Sequence, residues 1–160
     1  MVVLTLATIF FCIHLQWIPG GEYPQGMKKI SVAAAIIIKD GRILATERGY
    51  GEYKDQWEFP GGKLEAGETG EEAIVREIRE ELDAEIKVEK HLCTVEYDYP
   101  TFHLSMQCFI CSLVGEKLVL LEHEDMKWLE KEKLDSLGWL PADVLVVDEL
   151  RKHLTSQVLR

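Results

Sequence analysis

Basic residues are scarce in this chain. Eighteen Lys and Arg stand against 28 Asp and Glu in 160 residues, a formal net charge of -10. Nucleic-acid polymers and anionic membrane surfaces are thereby disfavoured as main partners, because each needs a basic face. A small anion delivered with a metal ion is not excluded. Cysteine is sparse too, four in all. Cys108 and Cys111 have C-x-x-C spacing, but they lie in HLSMQCFICSL, whose bulky apolar residues read as a strand. Side chains three apart on a strand point to opposite faces, so this pair neither chelates nor bridges, and no second pair completes a zinc site. Cys12 and Cys93 stand alone. Reduced thiols in a cytoplasmic protein are the simplest reading. Internal repeats, low-complexity tracts and long linkers are absent beyond Gly26. The length suits one domain with a real core and is too short for two.

Charge is missing altogether from residues 1 to 21, MVVLTLATIFFCIHLQWIPGG. Residues 1 to 18 approach the minimum length of a membrane span, but Thr5, Thr8, His14 and Gln16 interrupt them. No Lys or Arg precedes the apolar run and no small-x-small cleavage site follows it, so it makes a poor secretory signal. Three readings are open: a membrane anchor with Lys28 and Lys29 as a weak positive flank, an extra packed segment, or upstream sequence taken in by too early a start codon. The clean opening of a first strand at Met27-Lys28-Lys29 favours the last. Residues 1–26 are accordingly set apart as an apolar extension and 27–160 as the domain.

What is present after that point is a patterned alternation of strands and two helices. SVAAAIII (31–38) reads as a buried strand, Lys39-Asp40-Gly41-Arg42 as a tight Asp-Gly turn, and ILATER as the returning strand of a hairpin. GYGEYKDQ (49–56) is a polar loop, WEF a short strand, and Pro60-Gly61-Gly62 a turn. A helix is predicted from about Gly70 to Leu82, with Thr69 and Glu72 as a capping box and Ile74, Ile78 and Leu82, with Val75, as its apolar stripe. Strands follow in EIKVEK, LCTVEYDY, 103–113, KLVLL (117–121) and MKWL (126–129). Pro141 and Asp143 open a last helix whose stripe is Val146 or Val147, Leu150 and Leu154. The expected fold is a mixed sheet flanked by helices, α/β or α+β.

The acid is concentrated. Residues 62–85 hold nine carboxylates against three bases, a local net of -6. On the predicted helix Glu77, Glu80 and Glu81 fall within about 100° of one another, beside the apolar stripe, with the small Ala73 in the same sector. Like charges at i,i+4 cost a few tenths of a kcal/mol, roughly, and only Arg76 offers local compensation. A solvated acidic face is the plain alternative, but this cluster borders the buried stripe and follows a glycine turn. Oxygen-only donors suit Mg²⁺ or Mn²⁺, whereas zinc would want His or Cys.

Gly62, five residues, Glu68, seven residues, then Arg76-Glu77-Ile78-Arg79-Glu80-Glu81 resembles the signature of the Nudix hydrolases. One position departs: Asp83 stands where that signature has glycine, followed by the weakly apolar Ala84. Asp tolerates the left-handed conformation of a helix end better than most residues, so the departure bears on the helix terminus and not on the chemistry. QWEFPGGKLEAGET is similar to the MutT-like branch, the nucleoside triphosphate pyrophosphohydrolases, and the likeness runs from Met27 to the last helix. The resemblance implies an α/β/α sandwich and a divalent metal held by Glu77, Glu80, Glu81 and the Gly61 carbonyl. Gly62, Glu68 and Arg76 would support them, with Glu122 as a further ligand or general base and Glu124 as the fallback.

The resemblance also implies a base pocket built from Arg48, Phe59 and Asp143, the last in Leu140-Pro141-Ala142-Asp143. Each has a plain alternative: a surface salt bridge, a core residue, a helix N-cap. A carboxylate only accepts hydrogen bonds where an Asn both donates and accepts, which leaves 8-oxo-dGTP and CTP or dCTP both open. The implied activity is Mg²⁺-dependent hydrolysis of a nucleoside triphosphate to monophosphate and pyrophosphate, with 8-oxo-dGTP first and CTP or dCTP second. A non-catalytic nucleotide sensor is the third reading, and a monomer or homodimer the expected assembly. The physical demands agree: phosphoanhydride hydrolysis needs neutralised phosphates, an oriented water and a base.

Overall fold

Lys28–Lys39 forms the central strand, β1, which pairs with three others. The computed structural model describes residues 26–158, so the apolar extension and its three readings lie outside the described residues. β1 turns through Asp40 and Gly41, both at positive φ (50° and 73°), into β2 (Arg42–Glu47). That is the geometry a two-residue Asp-Gly hairpin demands. β3 (Trp57–Glu58) pairs antiparallel with β2, and β4 (Gly61–Lys63) pairs antiparallel with β1. The expected turn at Pro60-Gly61-Gly62 is therefore only a bend at Pro60. The two glycines are strand residues, lying opposite Ala34 and Ala33. Glycine is needed at Gly61 because a Cβ there would run into the Ala33 carbonyl oxygen.

Helix α1 (Gly70–Leu82) has the predicted bounds. The Thr69 hydroxyl accepts from the Glu72 N–H, the Glu72 carboxylate accepts from the Thr69 N–H, and Asp83 closes the helix at φ 44°, ψ 38°. Asp83 thus adopts the left-handed conformation that glycine usually supplies. EIKVEK and LCTVEYDY join into one strand, β5 (Ile86–Tyr99), with register irregularities between Val88 and Lys90 and between His91 and Cys93. A tight turn leads to β6 (Phe102–Leu113), which returns antiparallel to β5 and lies parallel to β1.

KLVLL is not a strand. The Val119 and Leu121 N–H groups donate to the Leu82 and Glu81 carbonyls at 2.7 and 2.9 Å. The alternation is real, since Leu118 and Leu120 pack on the core while Val119 and Leu121 are exposed. The backbone, however, satisfies the orphan carbonyls of the α1 C-terminus instead of a sheet partner. β7 (Asp125–Leu129) then pairs with β2, a 3₁₀ turn spans Lys131–Ser136, and helix α2 (Pro141–Val158) ends the described chain.

The sheet runs β3-β2-β1-β6-β5, with β4 on β1 and β7 on β2. Ala33, Ala35 and Ile37 face α1 with Ile74, Ile78 and Leu82, whereas Ala34 and Ile36 face the α2 side with Val146, Val147 and Leu150. Covering both faces explains why SVAAAIII is a continuous apolar run without alternation. The result is the expected α/β/α sandwich around a mixed sheet. Cys108 and Cys111 fall on opposite faces, as their spacing requires, and the thiols of Cys93, Cys108 and Cys111 are free. No described helix is long and apolar enough to cross a membrane. Thr69→Ala removes the cap from α1 and should lower stability by about 1 kcal/mol, read as a shift in the urea midpoint at unchanged slope.

Candidate active site

The acidic face of α1 stands only partly in solvent. Arg76 lies among its carboxylates and distributes its donors: Nε and Nη2 donate to the two oxygens of Glu68, each at 2.8 Å, and Nη2 also donates to the Lys63 carbonyl at 3.0 Å. Nη1 donates to Glu77 at 2.7 Å and reaches Glu80 at 3.3 Å. The planar fork suits this role, and lysine could not reproduce it. Arg76 holds the Glu68 carboxyl down to about 2. Glu77 lies against Gly62, where a Cβ would collide with its carboxylate, so the glycine leaves space for the acid. Glu80 is the outlying member, with 57% of its side chain exposed.

Glu81 is the buried member, 9% exposed, and its Oε2 accepts the Gly61 N–H at 3.2 Å. Burial raises its carboxyl to about 8, helped by the charges of Glu77, Glu58 and Glu122. Glu122 is therefore within electrostatic reach of Glu81. Glu124 is not among those charges; it packs beside Gly49, and its N–H donates to the Glu47 carbonyl at 3.0 Å. Among the described residues no three of His, Cys, Asp and Glu are drawn together as a metal cluster. Glu77 and Glu80 share Arg76 Nη1 as their common partner.

Gly61 also borders a cleft of about 350 Å³ lined by Arg48, Tyr53, Phe59, Tyr99 and Asp143. Arg48 is paired with Glu58 at 2.9 Å and lies 5.5 Å over the Tyr50 ring. Phe59 is both wall and core, stacked on Trp139 at 4.7 Å. Asp143 is not the helix N-cap. It lies inside the first turn of α2, 4% exposed, where its Oδ1 accepts the Phe59 N–H at 2.8 Å and ties α2 to the end of β3. Burial pushes its carboxyl up to about 8, against an ordinary value of 3.8. That shift favours the protonated acid, which donates as well as accepts, over the acceptor-only carboxylate.

Three features escaped the sequence. Glu58 sits between the acids of α1 and the cleft, pairing with Arg48 through Oε2 and accepting from His123 Nε2 at 3.3 Å through Oε1. Its signal was the alternation of WEF, in which Trp57 and Phe59 are buried and Glu58 points elsewhere. Tyr99 and Phe102 flank the β5–β6 turn and stack at 4.8 Å, with Tyr53 edge-on to Tyr99 at 5.6 Å. The Tyr99 hydroxyl accepts the Ala142 N–H at 3.4 Å, closing the aromatic wall against α2. Nothing local in the sequence brings loop, hairpin and helix to one wall.

A mixed sheet thus lies between two helices, with an Arg-bound glutamate helix beside a glycine strand. Residues 27–154 match the NUDIX domain. The chain is 32% identical over 123 residues to the CTP pyrophosphohydrolase of Escherichia coli strain K12, covering 76% of this chain and 91% of that protein. It is 33% identical over 126 residues to the 8-oxo-dGTP diphosphatase of Haemophilus influenzae, covering 77% and 92%. The solution structure of the E. coli ORF135 protein superposes with a TM-score of 0.71 at 32% identity, over 80% of this chain and 93% of that one. The protein belongs to the Nudix hydrolase family and is an enzyme of that family, similar to its MutT-like members. Nudix hydrolases generally use divalent metal ions.

The buried Asp143 has a pH signature. Its folded-state carboxyl titrates far above the unfolded value of 3.8, so the folded state is favoured while it is protonated and loses stability as pH rises from about 4 toward 8. Asp143→Asn keeps the acceptor for the Phe59 N–H and cannot ionise. The stability difference between the two proteins, followed by urea unfolding from pH 4 to 9, should shift in favour of the variant across that window and level off above it.

Proposed function

We propose that the protein is a Mg²⁺-dependent nucleoside triphosphate pyrophosphohydrolase that removes 8-oxo-dGTP from the nucleotide pool, releasing monophosphate and pyrophosphate. One observation carries this reading: Gly61 belongs both to the acidic site, through its bond to Glu81, and to the aromatic cleft. A triphosphate lying along that strand would have its base among Tyr99, Phe59 and Asp143 and its phosphates at the acids. The relatives named above give the substrate classes.

The donors fit a hard divalent cation. They are all oxygen, and the charges of Glu77, Glu58 and Glu122 act together on Glu81, a negative potential that a cation offsets. Glu77, Glu80, Glu81 and the Gly61 carbonyl would hold it, with Glu122 as the additional acid. Bound there, a divalent ion neutralises phosphate charge and lowers the pKa of water. The chain's own residues do the rest. Arg76 and Glu68 fix the direction of Glu77, Glu122 takes the proton of the attacking water, and the cleft orients the base so that an internal phosphorus faces that water.

Asp143 reads the base. Protonated, it offers the donor and acceptor pair that an oxidised guanine edge can match; the alternative, CTP or dCTP, is favoured by the likeness to the CTP pyrophosphohydrolase. The free thiols of Cys93, Cys108 and Cys111 suit a cytoplasmic setting.

A panel of nucleoside triphosphates with pyrophosphate release as readout tests the substrate; equal rates on every member would remove the proposed selectivity. Glu77→Gln and Glu81→Gln should each lose most turnover, by about 10²-fold or more, with circular dichroism unchanged, since a metal ligand goes without loss of volume. Asp143→Ala should reorder the panel more than it lowers the rate common to all members. A chain beginning at Met27 should keep full activity, because β1 and the family match begin within one residue of it.

A further inference from the structure

The loop that carries Glu122 is fastened at three points. Two are main-chain bonds that any sequence could make: the Leu121 N–H on the Glu81 carbonyl at 2.9 Å and the Glu124 N–H on the Glu47 carbonyl at 3.0 Å. Between them the only side-chain hydrogen bond among the described residues is that of His123, whose Nε2–H donates to Glu58 Oε1 at 3.3 Å. The ring is 7% exposed, while Glu122 beside it is exposed.

The choice of residue is informative. With Nε2 on Glu58, His123 Nδ1 is buried with no partner among the described residues. A ring nitrogen left so carries a desolvation cost that a leucine or methionine of similar volume would avoid. Packing alone therefore does not account for a histidine here. What it supplies is a directional bond to Glu58, and Glu58 is also the partner of Arg48 in the cleft.

We infer that His123 is a positioning residue: its bond to Glu58 holds the 121–124 loop so that Glu122 faces the carboxylates of α1, linking the acidic site to the base cleft through Arg48. The inference rests on the reading of Glu122 as a ligand or base. The charge of Glu122 reaches Glu81, and the buried His123 ring with its bond to Glu58 keeps the loop from drifting out of that range. His123 itself touches neither substrate nor metal.

The test uses Mn²⁺ binding to the full, nucleotide-free chain, read as loss of the free-ion electron paramagnetic resonance signal, together with steady-state kinetics. His123→Ala and His123→Asn should weaken Mn²⁺ affinity and lower kcat by about 10- to 100-fold, the range typical of groups that orient metal ligands, with KM for the nucleotide near the parent value. His123→Gln, which can return a donor at the Nε2 position, should recover most of both. Glu58→Ala should show the same loss of Mn²⁺ affinity plus a raised KM, because it also releases Arg48, and combining it with His123→Ala should weaken Mn²⁺ no further.

Parent-like Mn²⁺ affinity and kcat in His123→Ala would overturn the inference. So would His123→Gln as impaired as His123→Ala, which would reduce the role to filling space. Glu122→Gln separates the two levels. If it binds Mn²⁺ and turns over like the parent, the reading of Glu122 falls and the inference with it. If it is impaired while His123→Ala is not, only the positioning role falls.

Discussion

Acidic side chains gathered on one helix repel one another, and no arrangement of the acids alone can hold them still. Arg76 resolves this. Its planar guanidinium donates to both oxygens of Glu68, to one oxygen each of Glu77 and Glu80, and to the Lys63 carbonyl. The glycine strand, the loop before α1 and the helix itself are tied together by that one side chain. The direction of each carboxylate is then set by a hydrogen bond rather than by repulsion. Glu81 stands outside this arrangement, held by the Gly61 N–H and by burial, and it is the member whose carboxyl is raised.

Much of this was legible because it follows local rules. Both ends of α1 come from short-range chemistry, the Thr69–Glu72 box at the start and the left-handed Asp83 at the end. The Asp40-Gly41 hairpin and the opposite-face placement of Cys108 and Cys111 are local as well. What could not be read depended on partners distant in the chain. KLVLL has a strand's alternation, but its N–H groups meet helix carbonyls. Gly61 and Gly62 look like a turn until β1 lies beside them. Asp143 has the composition of a cap and instead reaches back to Phe59. Glu58 carries no motif of its own, and its importance comes from Arg48 and His123 arriving on either side.

The overall charge of -10 takes on a different meaning in this light. Acid runs from Glu58 to Glu122, Glu81 and Glu77, with Arg48 and Arg76 interleaved. Such a groove repels a bare polyphosphate and favours one that arrives with cations. Burial first, and neighbouring acids after it, weaken the acidity of Glu81 and Asp143.

The alanines of the α1 side carry a last implication. Ala33 and Ala35 on β1 and Ala73 on α1 are fully buried in the same core cluster. Small side chains between a helix and a sheet let the two backbones approach, and the distance from α1 to the sheet is what brings Glu81 to Gly61 and Glu77 to Gly62. The core thus acts as the spacer that sets the bite of the acidic site. Variation in buried alkyl volume, invisible to a motif search, would shift the acids of α1 relative to the glycine strand without changing any of them.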